Sequence, residues 1–166
     1  MVFRGNRNNY FLFFACDRFH HAAMRIIGGT AAGRILKVPK GFAVRPTPDL
    51  VRQAIFNSLG KRVAGARVLE LFAGTGALSL ECLSRGAVRA VCVEKSDRNA
   101  GFLRTNFGAA QLVNATLEVR VQDAFAAIAQ LAVAGAQFDL ILADPPYGEK
   151  NAGRRGERVI KGARQR

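Results

Sequence analysis

At 166 residues, 49% of them apolar, the chain is long enough for one domain with a substantial core. It carries 25 Lys and Arg against 12 Asp and Glu, a formal charge of +13, and no apolar run approaches the roughly 20 residues of a membrane helix. Cys16, Cys82 and Cys92 have no paired spacing and His20 and His21 have no matching partners, so neither a disulfide framework nor a metal site is supported, and a reducing, cytoplasmic setting is expected.

The charge is unevenly placed. Lys plus Arg minus Asp plus Glu is +2 over residues 1–23, +7 over 24–62, −1 over 63–150 and +5 over 151–166. These segments are read as an N-terminal extension, a basic hairpin-and-helix arm, a nearly neutral core, and a basic tail too poor in apolar residues to fold. Basic flanks on a neutral body are the distribution expected of a nucleic-acid binder.

Residues 1–23 contain the aromatic run Tyr10 to Cys16 after Arg4 and Arg7. A secretory signal has that order of charge, apolar core and small residues. However, Asp17, Arg18, His20 and His21 interrupt it, so an upstream extension with Met24 as an alternative start is preferred. From Met24, Arg25 to Ile27 and Arg34 to Val38 flank a loop with Gly28, Gly29 and Gly33, the pattern of a β-hairpin. Its Arg25, Arg34 and Lys37, with Arg45 beyond, are candidates to grip phosphates, although each also suits a solvated surface. Thr47, Pro48 and Asp49 have the chemistry of a helix start, and the helix should reach about Leu59 with Leu50, Val51, Ala54, Ile55 and Leu59 inward.

Val68 to Leu71 reads as a buried strand, Phe72 to Gly76 as a glycine loop, and Ala77 to Arg85 as a helix stopped by Gly86. In an open α/β sheet such a junction receives a nucleotide-like ligand, because glycines permit close backbone approach and the helix start offers N–H groups. A second strand, Ala90 to Val93, ends on Glu94, placed to hold a ribose diol. A helix from Ser96 to Phe107, a strand Val119 to Val121, then Asp123 follow; Asp123 can accept from an adenine amino group or cap the next helix. The last strand, Phe138 to Ala143, leads into Asp144-Pro145-Pro146-Tyr147.

Ser79 stands where the dinucleotide fingerprint needs a third glycine, which disfavours a pyrophosphate. Glu70, the Gly74-Thr75-Gly76 loop, Glu94, Asp123 and D-P-P-Y together resemble class I S-adenosylmethionine-dependent methyltransferases. That resemblance implies a Rossmann-like α/β fold and a cofactor held by Thr47, Glu70, Phe72, Gly74, Gly76, Glu94 and Asp123. It also implies catalysis at Asp144, Pro145, Pro146 and Tyr147, a motif similar to that of enzymes methylating exocyclic amines. Acceptors at Asp144 and the Pro145 carbonyl would localise the amine lone pair, and Tyr147 would stack on an unpaired base.

Arg25-Ile26-Ile27-Gly28-Gly29, Gly33-Arg34, Arg45-Pro46-Thr47 and Val51 to Leu59 narrow the resemblance to bacterial 16S rRNA guanine-N2 methyltransferases of the RsmD type, over residues 24–150. The family implies 16S rRNA in a small-subunit particle as substrate, cytoplasmic and monomeric action, and no metal. Other amines (DNA or RNA adenine, protein glutamine) and an inactive RNA-binding fragment are the alternatives. Beyond Lys150 the chain departs from the family pattern, so the expected sheet is truncated after its fourth strand, leaving that strand as an exposed edge.

Overall fold

The computed structural model describes residues 2–4, 10–13, 24–39 and 49–145. Thr47, Arg45, Pro146, Tyr147 and the tail 151–166 lie outside the described residues. The elements are β1 (Val2–Arg4), β2 (Tyr10–Phe13), α1 (Asp49–Leu59), β3 (Arg67–Leu71), α2 (Ala77–Ser84), β4 (Arg89–Glu94), α3 (Asp97–Ala110), β5 (Thr116–Val121), α4 (Ala124–Val133) and β6 (Leu140–Ala143). A short 3-10 turn, Gly60–Arg62, follows α1.

Alternation along the parallel strands decides which helices cover which face of the sheet. Val68, Ala90, Cys92, Leu140 and Leu142 face one side, against Ile55, Phe56 and Leu59 of α1, Leu78, Cys82 and Leu83 of α2, and Leu103 of α3. Leu69, Leu71, Val91, Val93 and Ala143 face the other, against Ala124, Ala127 and Leu131 of α4. Both faces are therefore covered, as a parallel sheet requires, and the strands are apolar on both sides.

The sheet order is β1-β2-β6-β3-β4-β5. Strands β3, β4, β5 and β6 are mutually parallel where they pair. From β3 the chain steps outward through β4 to β5, then returns to lay β6 on the opposite side of β3. The order thus reverses between β3 and β6, the switch point where an α/β sheet opens a crevice at its strand carboxyl ends.

Three expectations are corrected. The far edge of β6 is paired, in parallel with β2, and β2 in turn is antiparallel to β1, so the sheet does not end at its fourth parallel strand. The Arg25–Val38 hairpin reduces to one antiparallel bridge, Arg25 with Ile35, and backbone bonds from Ile26 to Arg34, Gly33 to Ile26 and Leu36 to Met24. Gly28 bonds to Glu81 and Ser84 of α2, whereas Gly33 bonds back across the arm to Ile26. On α1 the buried residues are Arg52, Ile55, Phe56 and Leu59, while Leu50 is 82% exposed. The helix is rotated so that Phe56 fills the core and Arg85 stacks over its ring, 4.8 Å from the centroid. Arg52, fully buried, donates from Nη2 to the Arg25 carbonyl and to Asp49, both at 2.6 Å. Its Nε and Nη1 have no hydrogen-bond partner among the described residues.

The arm, residues 24–39, docks on the outer face of α2 and α3 through Met24, Ile26, Ala31 and Leu36 against Leu80 and Ala110. Polar groups set its position. Glu81, fully buried, accepts from the Ile27 and Gly28 amides at 2.6 and 2.8 Å and from Arg85 Nε at 2.7 Å. Ser84 Oγ accepts from the Ala31 amide at 2.9 Å and donates to the Gly28 carbonyl at 2.6 Å. Gly29 has φ +79° and a Cβ there would lie 1.9 Å from the Ser84 carbonyl oxygen, whereas Gly33, at φ +83°, faces open space. Gly29→Ala is therefore expected to cost about 3 kcal/mol or more and Gly33→Ala only about 1–2 kcal/mol, read as the shift in urea midpoint at unchanged slope.

Candidate functional site

Register brings the candidate residues together. Leu71, the last residue of β3, pairs with Val93 on one side and Ala143 on the other. Parallel neighbours lie about 4.8 Å apart, so Phe72, Glu94 and Asp144 emerge side by side at one sheet edge. Glu94 pairs with Val121, which sets Asp123 two residues beyond on the same edge.

The glycine loop is built by left-handed backbone. Phe72, Gly74 and Gly76 have φ of 60°, 56° and 81°. For Phe72 that conformation is strained, and its ring is turned edge-on to Phe125, 6.4 Å between centroids. Gly76 is the N-cap of α2. A Cβ at Gly76 would sit 2.7 Å from Leu103 Cγ, so this glycine is required by packing against α3 as well as by its turn. The sequence signal for close ligand approach thus has a structural cause at this position.

Glu94, half-buried, ties the loop to β4: its Oε2 accepts from the Gly74 amide at 2.7 Å and its Oε1 from the Ser96 amide at 2.8 Å. Oε1 also accepts from Asn99 Nδ2 at 3.5 Å, so the acceptor capacity left for a diol lies on Oε2. Asp123 caps α4, its Oδ1 accepting from the Phe125 and Ala126 amides at 2.9 and 3.3 Å. Asp144 is half-buried and Pro145 buried. Three carboxylates, Glu94, Asp123 and Asp144, therefore gather around the carboxyl ends of the strands of a strongly basic chain, a local environment suited to a cationic or hydroxyl-bearing ligand.

Glu70 lies beneath the loop. Gly76 has no side chain with which to cap α2, and Glu70 Oε2 accepts from the Ser79 amide at 3.0 Å in its place. Burial pushes its carboxyl up to about 7; the Ser79 hydrogen bonds oppose the shift, and the Asp144 and Glu94 charges add to it. Cys82 and Cys92 are buried, and that burial, with Glu70 nearby, pushes both thiols well up, which keeps them from acting as nucleophiles.

Of the candidate phosphate-gripping residues, Arg25, Arg34 and Lys37 are exposed on the arm. Arg25 pairs with Asp49 at 3.0 Å, and Arg34 donates to the Ala109 carbonyl and Gln111 at 2.6 and 3.1 Å, anchoring the arm at the end of α3. Lys37 is held by its backbone, through Asn106. Sequence reasoning misses Asn106, Glu81 and Ser84. The available signal is a polar residue on an apolar helix stripe, as Asn106 is between Leu103 and Ala110. Helix α3 itself runs past Gly108 to Ala110, with the turn made by Gln111 at φ 49°.

A doubly covered parallel sheet with a glycine loop, Glu94 and Asp144 at its switch point defines an S-adenosylmethionine-dependent methyltransferase fold. The crystal structure of SMU.776, a putative methyltransferase complexed with SAH, matches with a TM-score of 0.56 at 26% identity over 69% of this chain and 30% of that one. A hypothetical protein of Thermus thermophilus, TTHA0928, matches with a TM-score of 0.72 at 33% identity, covering 84% of this chain and 78% of that one. The family model described as Conserved hypothetical protein 95 matches residues 24–161, and the chain belongs to this RsmD-like methyltransferase family. "Putative rRNA methyltransferase YlbH" of Bacillus subtilis is 37% identical over 127 residues, 76% of this chain and 68% of that protein. Ribosomal RNA small subunit methyltransferase D of Escherichia coli K12 is 39% identical over 124 residues, 75% of this chain and 60% of that protein. The chain thus spans about two thirds of the length of these relatives. Among the described residues no helix is long and apolar enough to cross a membrane.

The raised Glu70 carboxyl has a definite pH signature. Below 4.5 the group is protonated in both folded and unfolded chains and costs nothing; as pH rises to about 7 the unfolded chain ionises first and stability is lost. Relative to Glu70→Gln, whose amide oxygen still accepts from Ser79, the wild type should lose about 2.5 kcal/mol across that window, measured by urea unfolding at about pH 5 and pH 8.

Proposed function

We propose that this chain carries the cofactor and catalytic parts of an enzyme that moves a methyl group from S-adenosylmethionine to the N2 amine of a guanine in 16S rRNA of a small-subunit particle. The observation that carries the reading is the shared sheet edge of the glycine loop, Glu94 and Asp144, set by the register of β3 with β4 and β6. The chemistry of the site fits the cofactor: a sulfonium is cationic and meets acidic side chains, and a ribose diol meets a carboxylate with spare lone pairs. When bound, that cofactor supplies an electrophilic methyl group.

The protein's part is binding and alignment. Glu94 and Asp123 accept from the nucleoside, and Gly74 and Gly76 shape the loop for the amino-acid end, with Phe72 beside it; the family resemblance adds Thr47 to the cofactor set. Glu70 holds the start of α2 in place. Asp144 and the Pro145 carbonyl accept the amine protons, which localises the nitrogen lone pair, and the prolines keep both acceptors rigid. Tyr147 stacks on the base, which must be unpaired to enter. Arg25, Arg34, Lys37 and Arg45 on the 24–62 arm grip RNA phosphates, the 63–150 core carries the chemistry, and the basic 151–166 tail adds electrostatic attraction. Action as a cytoplasmic monomer follows from the same family reading. Among rival substrates, rRNA is preferred over DNA and protein because the relatives at 37% and 39% identity are named as rRNA methyltransferases, and the guanine amine follows from the family resemblance of the sequence motifs.

Two measurements test the reading. S-adenosylhomocysteine at about 100 times its dissociation constant should stabilise the protein by about 2.7 kcal/mol, seen as a rise in melting temperature. Asp144→Ala should retain that shift while transfer of labelled methyl to small-subunit particles falls about 100-fold or more. A melt indifferent to the ligand would refute the cofactor assignment. Equal methylation of DNA or protein glutamine would refute the substrate assignment, and a ligand-dependent shift with no transfer would leave a binding role.

A further inference from the structure

The arm and the cofactor loop share one buried side chain. Asn106, on the inner face of α3, is 1% exposed and its amide is used from both ends. Oδ1 accepts from the Lys37 amide at 2.8 Å, and Nδ2 donates to the Lys37 carbonyl at 3.0 Å. The side chain thereby pairs with Lys37 as a neighbouring strand would, holding a single residue of the arm by both its backbone groups. Nδ2 also donates to the Thr75 carbonyl at 3.2 Å. Thr75 is the central residue of Gly74-Thr75-Gly76, and the Gly74 amide in turn is bonded to Glu94 at 2.7 Å. A second contact runs parallel: Thr75 Oγ1 lies 3.5 Å from Met24 Sδ, at the other end of the arm.

We propose that Asn106 is a positioning residue that sets the basic arm and the cofactor loop in one geometry, so that RNA gripped through Lys37 and cofactor held by the glycine loop are aligned by the same amide. The assignment rests on the functional reading above for the identity of the two ligands. An apolar residue of the same size would fill the site but leave the Lys37 and Thr75 backbone groups unpaired in a buried place. No aliphatic contact could fix both the distance and the rotation of the two segments, because dispersion is non-directional whereas the amide has a donor edge and an acceptor edge. Arg34 provides the contrast. It ties the same arm to the end of α3 at Ala109 and Gln111 rather than to the loop.

The test measures two affinities separately, for S-adenosylhomocysteine by calorimetry and for a 16S rRNA transcript by filter binding, on the wild type, Asn106→Leu, Asn106→Asp and Arg34→Ala. Asn106→Leu removes every bond; Asn106→Asp keeps the acceptor for the Lys37 amide and removes the donor to both the Thr75 and Lys37 carbonyls. Both should weaken S-adenosylhomocysteine about tenfold and the RNA as well, Asn106→Leu the more, whereas Arg34→Ala should weaken the RNA alone. A general loss of stability would not separate the two ligands in this way. Cooperatively melting Asn106 variants that bind S-adenosylhomocysteine like wild type would overturn the proposal while leaving the functional reading intact; a wild type that binds neither ligand would reject that reading itself. Hydrogen exchange on the wild-type protein supplies a check that needs no variant: saturation with the transcript should slow the Gly74 and Gly76 amides, and unchanged exchange there would equally reject the role of Asn106.

Discussion

Everything at the candidate site depends on β3 lying in register between two parallel neighbours. Leu71 faces Val93 and Ala143 at once, so three chain segments leave the sheet together and in the same direction. The reversal of strand order at this point is what keeps the crevice open, since the helix after β3 and the helix before β6 pack on opposite faces. With the register displaced by one residue, Val68 and Glu70 would exchange faces with Leu69 and Leu71, and the capping bond from Ser79 would be lost together with the core.

Buried polar groups join the remaining parts to that frame. Glu70 caps α2 from below, Glu81 and Ser84 hold the 27–31 turn on α2, and Asn106 holds Lys37 and Thr75 on α3. Their partners are chiefly backbone amides and carbonyls of short connecting segments, groups that would be costly to bury unpaired. Hydrophobic packing through Ile26 and Leu36 brings the arm to the helices, and the hydrogen bonds choose its seating.

The core is legible in the chain order of its elements. Runs such as Val68 to Leu71 and Ala90 to Val93 are apolar on both faces and punctuated by glycine, which is how covered parallel strands read. The carboxylates at their ends are legible for the same reason: a polar residue directly after a buried strand must lie at the sheet edge. The arm is less so. Its two apolar runs satisfy a hairpin pattern, but the Gly28-Gly29 turn bonds mainly to α2, and only one bridge forms. On α1 a helical stripe through Leu50 and Ala54 is as plausible as one through Arg52 and Phe56, since periodicity alone does not rank neighbouring faces.

What the sequence determined by itself was the alternation of strand and helix, the glycine loop, and the identity of the groups that end each strand, because these follow from local periodicity and from single residues. The tertiary structure decided which of those groups meet, through strand order and register. It also decided the pairing of β6 with β2 and the second role of polar residues inside helices. Glu81 and Asn106 occupy apolar stripes, and among the described residues the one local side-chain partner of either is Arg85, one turn on from Glu81. Their backbone partners are 53 to 54 and 31 to 69 residues away in the chain, and only folding brings those groups within hydrogen-bonding distance.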